Sequence, residues 1–176
     1  EAEESAEERA AVEVAVLAGF DQALAALGEM RRHEGAALGR VLFARLDEIG
    51  ALTRRAEESP GRQPEAVKAR LAEQIALLLD GSARFDADRL HQEAILIAAK
   101  ADVREELDRL AAHVAQARRL IEIGGAIGRR LDFLSQELNR EANTLAAKAN
   151  DLELTNIALE LKTVVEQFRE QVQNLE

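Results

Sequence analysis

From Asp151 to the end of the chain, large apolar side chains return every three or four residues: Leu154, Ile157, Leu161, Val164, Phe168, Val172 and Leu175. An α-helix turns ~100° per residue, so this spacing gathers them on one stripe, whereas a strand would send successive members to opposite faces. The same period marks a first stretch from about Ala6 toward Glu58, through Leu17, Phe20, Leu24 and Leu27 and then Leu38, Leu42, Leu46 and Ile49. Tyr and Trp are absent and there are only 5 Phe, so the aromatic residues that favour strands are scarce. The expected fold is all-α, an elongated multi-helix bundle with long helical hairpins.

Breakers divide the pattern. Gly28, Gly35 and Gly39 are places where the first helix would kink or split. Ser59-Pro60-Gly61-Arg62-Gln63-Pro64 is the strongest stop, since proline lacks an amide donor and pushes its predecessor to extended geometry. A second helix is expected from Pro64 to Asp80 with Val67, Leu71, Ile75 and Leu78 inward, and a third from about Asp86 to Lys100. Asp102 with Glu105 three places on has capping-box spacing and opens a helix with Val103, Leu107, Leu110, Val114 and Ile121 on its apolar face. Gly124-Gly125 closes it, and Leu131, Leu134, Leu138 and Leu145 mark the next. The expected division is a long helical arm over residues 1–59 and a helical C-terminal domain over 60–176, read as one continuous domain.

Composition narrows the chemistry. The net charge is −10, so attraction to a polyanion must come from a local patch. Cysteine is absent and only His33, His91 and His113 supply imidazole, which leaves a metal site mainly to oxygen ligands. No apolar run approaches the ~20 residues of a membrane span and no leader pattern opens the chain, so a cytoplasmic protein without a membrane partner is expected. The chain starts at Glu1 in an acidic run, as expected of a segment joined to something upstream.

The helix after Gly128 stands apart. Once its leucines take one face, Arg129, Gln136, Arg140 and Asn143 fall within about 60° of one another on the opposite face, with Asp132, Asn139 and Phe133 beside them. A merely solvated face is mostly Glu, Lys and Gln. Arg130, Glu137, Glu141, Thr144 and Lys148 form one flank, and on the preceding helix Glu106, Arg109 and His113 share another. Acids from two helices plus one imidazole suit a hard divalent ion such as Mg or Mn. Between Arg109 and Lys148 the bases exceed the acids by seven to four, a local positive excess in an acidic chain. Gly124-Gly125-Ala126-Ile127-Gly128 lacks the Lys-Ser/Thr of a P-loop and reads as a turn. A buried polar network at a helix or subunit interface accounts equally well for these faces.

Three runs resemble a known family: Asp102-Val103-Arg104-Glu105-Glu106-Leu107-Asp108-Arg109-Leu110-Ala111-Ala112-His113, the stretch from Gly128 through Arg129-Arg130-Leu131-Asp132-Phe133 to Leu145, and Glu170-Gln171-Val172-Gln173-Asn174-Leu175-Glu176. They are similar to the C-terminal half of the YicC/YloC family of bacterial endoribonucleases, with weaker matches at Arg32-His33-Glu34-Gly35 and Leu90-His91-Gln92-Glu93. The resemblance implies a stress-linked cytoplasmic endoribonuclease that cleaves single-stranded RNA with a Mn or Mg cofactor. It also implies a homo-oligomer, with a hexamer expected, and leaves room for other RNA-decay enzymes as partners. Family members carry a strand-containing N-terminal half that nothing here matches. Ala147-Lys148-Ala149 departs from the serines the family tends to place around that lysine.

Carried onto this chain position by position, the resemblance singles out Glu106, His113, Asp132, Glu137 and Glu141, and chemistry, not the motif, assigns Glu106, His113 and Glu137 to proton transfer and Asp132, Glu137 and Glu141 to the metal. Arg109, Arg129, Asn139, Arg140, Asn143 and Lys148 would then bind phosphate and ribose. His113 acting on the RNA 2′-hydroxyl without a metal is an equally open route. The competing reading is a non-catalytic helical scaffold that oligomerises and modulates RNA decay through a partner nuclease. The C-terminal stripe from Leu154 to Leu175 must be buried either within the subunit or between subunits.

Overall fold

A computed structural model of the chain describes residues 5–60 and 102–175, with positions 66, 69, 72, 73, 75, 76 and 92 between them. Among the described residues there are four long helices and no strand: α1 (Ala6–Glu57), α2 (Arg104–Ile123), α3 (Gly128–Lys148) and α4 (Leu152–Val172). The fold is an all-α bundle. Apart from those seven positions, the helices expected over 64–80 and 86–100 lie outside the described residues, as does the turn beyond Pro60.

The chain divides into two compact units, residues 1–40 and residues 41–176. The first holds the N-terminal part of α1, which begins with a reciprocal cap missed in the sequence pattern. Ser5 Oγ accepts from the Glu8 amide at 3.2 Å while the Glu8 carboxylate accepts from the Ser5 amide at 2.9 Å. The Ser5 amide and hydroxyl both donate to the Glu8 carboxylate and hold it below its ordinary value, the backbone donor contributing most. α1 then runs 52 residues as one helix, so Gly28, Gly35 and Gly39 do not split it. Leu17, Phe20, Leu24 and Leu27, expected to be inward, are exposed. An 18-residue window of α1 has mean hydropathy 1.6 and none of it is buried, so by length and composition alone it could cross a membrane. This departs from the expectation that no apolar run approaches a membrane span: Glu13 and Asp21 break up the apolar residues of this stretch, yet its average stays apolar.

The second unit holds the core. Leu42, Leu46, Ile49 and Ala56 from the end of α1 join Leu110, Ala117, Leu131, Leu138, Leu145, Leu161 and Phe168, nearly all without solvent contact. A side chain of this size contributes roughly 1.5–3 kcal/mol when fully buried. α3 is the central element and packs on both α2 and α4. Arg118 on α2 pairs with Asp47 of α1 and lies 6.0 Å from the Phe43 ring centre, and Arg55 pairs with Glu160 of α4 at 3.1 Å.

The turns explain the register. Gly124 ends α2 at φ 70° and Gly125 follows at φ 80°, a left-handed pair that only glycine adopts without strain. Asp151 caps α4 by accepting from the Leu154 amide at 2.8 Å. At α2 the cap expected at Asp102 lies one residue further on: Val103 is the N-cap, and Asp102 Oδ1 accepts from the Arg104 amide at 3.0 Å instead. Gly128 admits no β-carbon comfortably, because the Leu175 carbonyl would stand 3.1 Å from it.

The C-terminal stripe is core, not an interface: Leu154, Ile157, Leu161, Phe168 and Val172 are all buried within this chain. Val165 takes the inward place expected for Val164, which is half-exposed. Drift of the 3.6-residue period against alternating three- and four-residue steps accounts for a one-residue slip.

Candidate functional site: the flank and ridge of helix α3

Because α2 and α3 are joined by a short glycine turn, their facing flanks run antiparallel and bring distant residues together in a fixed order. Near the base of the pair, Lys148 Nζ donates to Glu106 Oε1 at 2.8 Å and to the Asp102 carbonyl at 3.0 Å. Glu106 is only 4% exposed, and its other oxygen has no hydrogen-bond partner. Further along, Arg109 donates to Glu141 at 3.3 Å and to Glu105 on its own helix. The Glu105 charge, helped by the bond to Glu141, pushes the Arg109 guanidinium above its ordinary value.

Beyond Arg109, donor atoms of His113, Glu137 and Glu141 all lie within 4.8 Å of one another. His113 and Glu137 are half-buried, and Glu141 is 2% exposed. One imidazole and two carboxylates, reachable from one side, form a donor set that fits a divalent cation. The bond from Arg109 occupies one Glu141 oxygen and thereby orients the carboxylate, the task a neighbouring donor usually performs at metal ligands.

The opposite flank of α3 faces α4. Asp132 accepts from Gln136 at 2.9 Å and does not belong to the cluster. Asn139 donates to Glu166 of α4 at 3.3 Å and accepts from Asn143 at 2.6 Å. Between the flanks runs an outward ridge of Arg129, Phe133, Gln136, Arg140 and Asn143, all exposed. Among the described residues, Arg129, Arg130 and Arg140 take part in no ion pair, and none of their guanidinium groups donates a hydrogen bond. Ala126, Gly128, Arg129, Asp132, Val172, Gln173 and Leu175 line an open groove of about 540 Å³ at the start of this ridge.

The residues proposed from sequence therefore sort into three places. His113, Glu137 and Glu141 come together. Glu106, Arg109 and Lys148 are engaged in pairs between or along helices, and Asp132, Asn139 and Asn143 in bonds along α3 and to α4. Arg129 and Arg140 stand on the ridge without an acidic partner among the described residues. Sequence reasoning gave no site role to Arg130, although it precedes Glu137 by two turns on the same flank, nor to Glu105, although Arg109 follows it by four residues on the same helix; it passed over Glu166, whose role depends on cross-helix register.

The domain thus sets a carboxylate-imidazole donor set, which suits a cation, beside arginines without acidic partners among the described residues, which suit phosphate oxygens. The model of the endoribonuclease YicC-like C-terminal domain matches residues 56–176, and the chain belongs to that family. It is 41% identical over 161 residues to a Haemophilus influenzae protein named "Probable endoribonuclease YicC", covering 92% of this chain and 55% of that one. It is 36% identical over 156 residues to a Clostridioides difficile protein of the same name, covering 89% of this chain and 53% of that one. The chain thus spans about half the length of the curated relatives it matches.

Proposed function

We propose that this domain carries the metal-dependent catalytic centre of an endoribonuclease that cleaves single-stranded RNA. The observation that supports it most is the meeting of His113, Glu137 and Glu141 within 4.8 Å, beside Arg130 on the same flank and Arg129 and Arg140 on the adjoining ridge, none of which has an acidic partner among the described residues. Mn and Mg are the ions considered; when bound, such an ion neutralises charge on the reacting phosphate and lowers the pKa of water at the site.

The chain's own residues do the rest. Glu137 and Glu141 supply hard oxygen donors, and Arg109 keeps Glu141 from turning away. His113 places a ring nitrogen among those oxygens, which favours a ligand role over removal of the ribose 2′-hydroxyl proton without a metal. Arg129, Arg130 and Arg140 present planar donor pairs that grip phosphate oxygens along the strand and hold it against the flank. Glu106 and Lys148 satisfy one another and brace the base of α2 against α3.

Incubation of the protein with end-labelled single-stranded RNA in Mn, Mg or EDTA tests the reading. Cleavage with an ion and none in EDTA is the expected result. Equal cleavage in EDTA would transfer the chemistry to His113 and the 2′-hydroxyl, and no cleavage under any condition would leave the helical scaffold acting through a partner nuclease. Homo-oligomerisation, with a hexamer expected, belongs to the same proposal. It must use a surface other than the buried stripe of α4, and the exposed Leu17, Phe20, Leu24 and Leu27 of α1 are the first place to look. Light scattering of Phe20→Glu protein against the parent measures it.

A further inference from the structure

Phe133 is the one large apolar residue of α3 turned to solvent. It is 59% exposed, while Leu131, Leu134 and Leu138 on the same helix are buried. A single exposed hydrophobic residue is ordinary on a protein surface. What distinguishes this one is its position. At ~100° and ~1.5 Å per residue, Phe133 stands about 40° from Glu137 and one turn, about 6 Å, before it. Arg129 lies one turn to the other side and Arg140 two turns on, at nearly the same angle, and neither has an acidic partner among the described residues. An uncovered π-face is therefore set between two free guanidinium groups on the ridge that borders the His113, Glu137 and Glu141 cluster.

Resting on the function proposed above, we infer that Phe133 is a stacking platform for one unpaired nucleobase of single-stranded RNA, with the flanking phosphates held by Arg129 and Arg140. Proteins that bind single strands combine a cationic track with aromatic faces on which bases lie, and such stacking tolerates every base. A base inside a duplex is already stacked on its neighbours and cannot offer its face to a side chain. The platform therefore selects for unpaired RNA at the step before cleavage and adds little sequence preference. It also sets register: a base seated on Phe133 brings the backbone beside it to the turn of α3 that carries Glu137.

The chain contains no Trp and no Tyr, so a Phe133→Trp protein has a single fluorophore placed on the platform. Three probes are titrated in EDTA: a single-stranded oligoribonucleotide, an abasic ribose-phosphate oligomer of equal length, and an RNA duplex. The single strand is expected to quench the indole strongly, and the abasic oligomer and the duplex to leave it nearly unchanged. In parallel, Phe133→Ala should weaken single-strand affinity about ten-fold and leave abasic affinity unaltered. Equal quenching by abasic oligomer, or unchanged single-strand affinity in Phe133→Ala, overturns the platform while leaving the proposed nuclease standing. Loss of molecular mass in Phe133→Ala also overturns it, by making Phe133 a contact between copies. Binding and quenching by RNA without cleavage in Mn or Mg would uphold the platform and sink the catalytic reading instead.

Discussion

Helix α3 presents two rows of charge that look alike on a helical wheel and differ in one respect. On the flank toward α2 the cations are matched: Lys148 with Glu106, and Arg109 with Glu105 and Glu141. On the outward ridge and its border, Arg129, Arg130 and Arg140 have no such match among the described residues. A matched cation in a half-buried seam acts as a brace, because losing it leaves a buried carboxylate uncompensated. An unmatched one on an exposed ridge contributes little to stability and is available to a ligand. Sharing a helix face is thus no guide to sharing a task; pairing across helices is.

Four tests would break or sharpen this contrast. The largest expected effect is on the braced side: Lys148→Met strips the partner from a carboxylate that is 4% exposed, and should cost about 3 kcal/mol in urea unfolding. Restoration of most of that stability by a second change, Glu106→Leu, would identify the loss as an orphaned charge; an unchanged midpoint for Lys148→Met alone would remove the brace from the account. Next comes Glu137→Gln, which should lower metal-dependent cleavage ten-fold or more, about 1.4 kcal/mol of barrier, and weaken Mn binding by calorimetry while leaving the thermal midpoint in place. Cleavage at the parent rate would separate the cluster from the chemistry.

On the ridge, Arg129→Ala or Arg140→Ala should weaken single-stranded RNA binding several-fold. Each should also reduce the slope of log affinity against log salt by about 0.7, the counterion release of one single-strand phosphate contact. Arg118→Ala, which removes a cation already paired with Asp47, should alter that slope less, and equal effects at all three sites would mean a diffuse field and no organised ridge. The smallest effect is expected far from both rows. Glu8 is held below the usual carboxylate range by Ser5, so its contribution is present above the unfolded-state pKa and fades as pH falls through the lower, folded-state value. Circular dichroism from pH 6 to 3 should show a slight loss of helix in the parent that is absent in Glu8→Gln, which has no carboxyl to titrate.

Periodicity disclosed the helices and their inward faces in the second unit, and glycine and aspartate at Gly124 and Asp151 disclosed where they stop and start. It could not tell Leu17, Phe20, Leu24 and Leu27 from Leu42, Leu46 and Ile49. The spacing is the same, yet the first set is exposed and the latter three residues are buried. An apolar stripe states that a face resists water, and what covers it is a property of other elements. The candidate site divides in the same way. His113, Glu137 and Glu141 were legible as chemical types at helical spacing. The engagement of Arg109 and Lys148 was not, because it depends on which turn of α2 meets which turn of α3, a register that no single-helix wheel contains.

The tight turn at Gly124 and Gly125 bears on how the protein acquires its activity in time. All three members of the cluster, from position 113 to 141, sit on one αα-hairpin whose strands of contact are close in sequence. Low contact order makes such a hairpin quick to form, and it need not wait for the end of α1 to arrive from the far side of the chain. Its amides around Val114 and Leu138, both buried, should be among the last to exchange with deuterium. On a ribosome, the donor set would be assembled as soon as the residues after Lys148 cleared the exit, before α4 had closed over the other side of α3.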